Sequence, residues 1–138
     1  MIKKLGRYLA VIALVVGGTT VITASPALAV GGCDQANPTV GACIDHGSYG
    51  SNARADFYFN RTPDSSYYYY SVWIQVNGTW HQKVNQARLT SSGRWCCWYQ
   101  PVASQPASYK TIRSRVTIYT SNRTAHTTST SPAFTIYT

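Results

Sequence analysis

The sequence predicts an all-β domain of two packed sheets, on three observations. No stretch after Val30 sustains a helical apolar period, and strong helix formers are scarce. Tyr, Thr, Val, Ile and Trp are abundant instead, broken at short intervals by Gly, Asn, Ser and Pro. About seven strand-like segments fall within about a hundred residues, the spacing of a sandwich.

Taken in order, residues 30–52 are rich in Gly and contain Pro38, which reads as an irregular N-terminal strap. Ala53–Asn60 is the first clear strand. Ala53, Ala55, Phe57 and Phe59 share one face, and Arg54, Asp56, Tyr58 and Asn60 the other. Thr62-Pro63-Asp64-Ser65 carries turn chemistry. In Tyr67–Val76 the even positions, Tyr68, Tyr70, Val72, Ile74 and Val76, form the core face. Tyr67, Tyr69, Ser71, Trp73 and Gln75 then point outward. Asn77-Gly78 is a two-residue hairpin signal, because both turn positions need positive φ. Its return strand is Thr79–Val84. After the turn Ser91-Ser92-Gly93 comes Arg94–Gln100, in which Trp95 and Trp98 flank two cysteines and face opposite ways. Pro101–Pro106 is a proline-bounded loop. Tyr109–Thr120 buries Ile112, Val116 and Ile118 and shows Arg113, Arg115 and Tyr119. Ser121-Asn122-Arg123 turns the chain, and Ala133–Thr138 closes it with Phe134 and Ile136 inward.

Upstream of the domain, Lys3, Lys4 and Arg7 precede the apolar run Leu9–Val16, and Ala27-Leu28-Ala29 supplies a small-residue cleavage motif. Residues 1–29 therefore read as a signal peptide cut after Ala29. The apolar run is too short for a spanning helix, which needs about 20 residues. Its compact build points to a bacterial exporter. The expected layout is a signal peptide at 1–29, the strap at 30–52 and the β-sandwich domain at 53–138, secreted and with no transmembrane segment after cleavage. Without the leader's three basic residues, nine Lys and Arg face four Asp and no Glu, a net charge of +5. That balance favours anionic partners such as wall polymers or acidic glycans. The basic residues are scattered singly, which argues against nucleic acid.

Cys33, Cys43, Cys96 and Cys97 all follow the cleavage site, and an even number in an exported chain implies disulfides. Neighbouring side chains on a strand point to opposite faces, which disfavours joining Cys96 to Cys97. The favoured arrangement bridges Cys33 and Cys43 to Cys96 and Cys97, in either order. The alternative joins Cys33 to Cys43 and leaves Cys96 and Cys97 joined or free.

Residues 72–138 carry a more specific pattern. Val72-Trp73-Ile74-Gln75 runs into Asn77-Gly78-Thr79-Trp80, then Thr90-Ser91-Ser92-Gly93-Arg94-Trp95, then Tyr109 and Arg113-Ser114-Arg115-Val116. Thr130-Ser131 precedes Phe134-Thr135-Ile136. This resembles the bacterial immunoglobulin-like modules of actinobacterial surface and secreted proteins. The resemblance implies an immunoglobulin-like sandwich serving as a spacer or binding module, with no catalytic set. The cysteines and the 30–52 strap depart from the pattern.

Tyr58, Tyr67, Tyr69 and Trp73 form the expected ligand-binding stripe, since flat rings suit the apolar faces of sugars and anchor interfaces at low entropy cost. No catalytic residues are assigned. His46, His81 and His126 lack a motif that would set up a nucleophile, and four scattered Asp give no carboxylate pair. Cys43, His46, Cys96 and Cys97 have zinc-ligand chemistry, but disulfides compete for the same thiols; no metal and no cofactor is expected. The functional expectation is a small secreted, non-enzymatic binding module for a glycan or other surface ligand. Its rivals are a secreted inhibitor or toxin acting through an exposed loop such as Gln100–Ser108, and a structural wall component.

Overall fold

The computed structural model describes residues 31–47, 51–62, 64, 66–103 and 106–138. The leader and its cleavage site lie outside the described residues. Period-two alternation gives strands, and among the described residues there are nine, with no helix: β1 (Gly32–Cys33), β2 (Val40–His46), β3 (Asn52–Phe59), β4 (Tyr69–Val76), β5 (Thr79–Arg88), β6 (Gly93–Pro101), β7 (Tyr109–Tyr119), β8 (Ala125–Thr130) and β9 (Phe134–Tyr137). They form two antiparallel sheets. The first runs β1-β2-β3-β6; the second runs β5-β4-β7-β8, with β9 continuing the β8 edge along β7.

The core lies between the sheets. Val40, Ala42, Ile44, Ala53, Ala55, Phe57 and Phe59 come from the first sheet, and Tyr70, Val72, Ile74, Ile112, Val116, Ile118 and Ile136 from the second. The inward sets expected for Ala53–Asn60 and Tyr109–Thr120 are the ones observed. Asn77 and Gly78 make the expected tight turn, with φ of 47° and 87°.

The 30–52 segment differs from expectation. Val40–His46 is no strap but a strand in full register with β3, its alternate residues Val40, Ala42 and Ile44 wholly buried. The disulfides differ too. Cys33 bonds Cys43, its direct cross-strand partner, and Cys96 bonds Cys97. The favoured bridges from the N-terminal segment to Cys96 and Cys97 do not form, because β3 lies between β2 and β6. Two strand spacings are about 9.6 Å, beyond the reach of about 7 Å that a disulfide spans.

A bulge on β6 explains the second pair. Asp56 pairs with Cys96 and Ala55 with Trp98, so Cys97 is an extra residue in the ladder. Strict alternation is suspended there, and the two thiols no longer project to opposite faces. The same bulge corrects the expectation for Trp95 and Trp98. Both now face inward, each stacked nearly parallel to Phe57, at 6.1 and 5.8 Å, and both against Tyr70.

Serine hydroxyls close one side of the sandwich. Ser114 Oγ donates to the Cys43 carbonyl (2.8 Å), and the Ala42 N–H donates to Ser129 Oγ (2.9 Å). Ser129 in turn donates to Asp34 Oδ2 (2.8 Å). This hydroxyl, ahead of the opposing effect of partial burial, holds the Asp34 carboxyl below its ordinary value of 3.8; the Ala36 N–H adds to it. A carboxyl lowered on folding stabilises the fold when ionised. Its contribution is complete above 3.8 and is lost as pH falls through the lower folded value. Urea midpoints should therefore fall on acidification below 3.8, and Asp34→Asn should flatten that fall. An unchanged pH slope in Asp34→Asn would assign the acid sensitivity elsewhere.

Candidate functional site

The four rings expected to form one stripe are dispersed. Tyr58 is exposed on the outer face of the first sheet, between buried Phe57 and Phe59. Tyr69 and Trp73 lie on the outer face of the second sheet, on the opposite side of the molecule. Tyr67 is core: it is 7% exposed, precedes β4, and packs edge-on against Phe59 (5.5 Å) and His126 (4.8 Å). Alternation fails at Tyr67 because the chain is not yet a strand there. The Tyr67 N–H closes a turn onto the Asp64 carbonyl.

What the second sheet assembles instead is a ladder of rings and guanidinium groups. Cross-strand register places Trp73 opposite Arg115 on β7, and Gln75 opposite both Trp80 on β5 and Arg113 on β7. The Arg115 guanidinium sits 4.8 Å from the Trp73 ring centre and 4.4 Å from that of Trp80. Arg123, from the β7–β8 turn, lies 4.8 Å over Tyr69 and donates to Gln86 Oε1 on β5 (3.3 Å). Each cation is held against the negative face of an aromatic ring, which fixes both groups at a modest energetic gain. At the end of β7, Tyr109 and Tyr137 meet edge-to-face at 4.9 Å, and they are 73% and 62% exposed.

Charge is segregated between the two outer faces. On the first sheet, Arg54 pairs with Asp45, and Arg94 with Asp56 at 2.5 Å; these are the two ion pairs among the described residues. The outer face of the second sheet carries Arg113, Arg115 and Arg123 with no aspartate side chain. Asp64 lies beyond its Tyr69 end, in the turn before β4, and Asp34 is turned toward Ser129.

Trp80 and Arg115 were not assigned to the stripe from sequence. The signal was present, since the Asn77-Gly78 hairpin sets Trp80 opposite Gln75, on the Trp73 face. The β4–β7 pairing that brings Arg115 to the same place is not readable locally.

The remaining candidate residues are apart. His46 stacks on Phe134 (6.1 Å), His126 meets Tyr67, and His81 lies on β5. Cys43, Cys96 and Cys97 are held in disulfides. Of the Gln100–Ser108 loop, residues 104–105 lie outside the described set, and Val102 is anchored, its side chain buried and its N–H donating to the Ser51 carbonyl. No protein-family model matches the chain, and neither curated proteins nor solved structures give a match.

Proposed function

We propose that the protein is an exported, non-enzymatic, immunoglobulin-like module that binds an extracellular glycan through the outer face of its second sheet. The observation that carries this reading is Arg115 clasped between Trp73 and Trp80 on an open sheet surface. Rings fixed in this way lose little entropy on binding and offer apolar surface to the flat faces of sugar rings. The guanidinium between them offers hydrogen-bond donors to hydroxyl groups.

Strand order supports the immunoglobulin-like part. With β2, β3 and β6 as strands A, B and E, the opposing β5-β4-β7-β8 takes the order C′-C-F-G of such sandwiches. The inter-sheet disulfide of antibody domains has no counterpart here, since Cys43 bonds within its own sheet. Paired cysteines fit an oxidising compartment, and with it the leader read at residues 1–29.

Trp73→Ala and Trp80→Ala should each weaken adsorption to insoluble cell-wall glycans by about 1–2 kcal/mol. The rings lie outside the core, so the thermal midpoint should fall by only a few degrees. Full retention of adsorption by both variants would refute this face as the site.

A further inference from the structure

The glycan reading leaves open what kind of sugar chain the face takes, and the arrangement along β7 bears on that. Outward-facing residues of β7 are Tyr109, Thr111, Arg113, Arg115 and Tyr119, set against buried Ile112, Ser114, Val116 and Ile118; Thr117, in the same row, is itself buried, its hydroxyl bonded to that of Thr128. Neighbouring strands extend this row sideways. Tyr137 pairs with Tyr109, Trp73 with Arg115, and Tyr69 with Tyr119. Rings therefore occur at both ends and in the middle, with arginines between them. At about 3.4 Å per residue the row from Tyr109 to Tyr119 is about 34 Å long, a track for several sugar units rather than a pocket for one.

Arg115 gives the track its chemistry. Its guanidinium is restrained by two indole rings, 4.8 and 4.4 Å from their centres, and its N–H donors are left for an acceptor outside the protein. No protein acceptor for Arg115 occurs among the described residues, while Arg54 and Arg94 each have an aspartate. Arg113 spends its Nε on the Ser131 carbonyl (3.2 Å), which leaves its terminal nitrogens. Planar forks of this kind match the two oxygens of a carboxylate or phosphate.

Building on the glycan reading above, we propose that the ligand is a linear polyanionic glycan, bearing carboxylate or phosphate groups, laid lengthwise along β7 from the Tyr109–Tyr137 pair to Tyr69 and Arg123. Arg113, Arg115 and Arg123 take its charges, and the rings take its sugar faces. Because separate contacts along one chain reinforce one another, affinity depends on ligand length.

The test is calorimetric titration of the full exported protein with three probes, each as a dimer and a hexamer. Oligogalacturonate carries carboxylates, oligo(glycerol phosphate) bearing sugar substituents carries phosphates, and cello-oligosaccharide is neutral. The expected result is binding of one or both anionic hexamers at least about tenfold tighter than the matching dimer, weakened at high salt. Which anionic arm responds identifies the charged group. Arg115→Ala should lose about tenfold, and Arg115→Lys should not restore it, because an ammonium lacks the planar fork. Tyr137→Ala should weaken the hexamer and leave the dimer unchanged. Equal affinity for dimer and hexamer, or preference for the neutral chain, overturns the proposal and leaves the broader glycan reading standing. Binding of none of the three probes overturns the proposal by itself, and failure to adsorb to cell-wall glycans as well overturns both.

Discussion

Phe57→Ala is expected to lower the free energy of unfolding by about 3–5 kcal/mol, the range for truncating a fully buried aromatic ring. Phe57 is fully buried and lies at the junction of the aromatic core: 5.2 Å from Tyr70, 5.8 Å from Trp98 and 6.1 Å from Trp95. Its three neighbours come from β4 and β6, strands of different sheets. Each is fixed by its own ladder, so they close poorly over the space a lost ring leaves, and a cavity cost adds to the transfer cost. Domains of this size have about 5–15 kcal/mol of stability in all, so the variant should be close to unfolding at ambient temperature. Tyr58→Ala, one residue along and exposed, should cost less than about 1 kcal/mol. Urea midpoints read by tryptophan fluorescence compare the two. Near-equal costs would show that the inward and outward faces of β3 are misassigned.

Replacing Cys33 and Cys43 together by serine is the second large expected effect, a loss of about 2–3 kcal/mol. The bridge spans ten residues of chain, and the entropy it removes from the unfolded state scales with the logarithm of that loop. It also secures β1, a strand of only two residues, against β2. Serine at both Cys96 and Cys97 should leave the free energy of unfolding within about 0.5 kcal/mol of the parent, because bonding adjacent residues closes no loop worth counting. Comparing the two double variants with the parent under oxidising conditions measures both. Equal losses would mean that the Cys96–Cys97 bridge supports packing as well as local chain geometry.

Much of the two-sheet architecture was legible where one face of a strand is apolar and the other polar. Ala53–Asn60 and Tyr109–Thr120 are such cases, and the structure keeps their inward residues. Val40–His46 has the same alternation in Val40, Ala42 and Ile44. It was obscured by glycine-rich flanks and by Gly41, which is required there because a Cβ would come within 2.8 Å of the Asp34 carbonyl. β8 had no apolar alternation to read, since after Ala125 and His126 it is an edge strand of Thr and Ser whose fully buried residue is Ser129. The bulge at Cys97 depends on how β6 meets β3, and a bulge is a relation between strands rather than a property of one. The candidate site was half legible for the same reason. Tyr69 and Trp73 follow from alternation within β4, whereas the position of Arg115 between two indoles follows from three strands meeting.

Each open margin of the two sheets is irregular among the described residues. β1 is two residues long, β6 carries the bulge at Cys97, β5 is shifted twice against β4, and β8 is shifted near Tyr119 and parted from β9 by Ser131-Pro132-Ala133. A second copy seeking to add a strand would find no straight row of free N–H and C=O groups to match. Strand-by-strand accretion needs such a row. Such margins oppose fibril-like growth in a domain whose regular secondary structure, among the described residues, is strand alone.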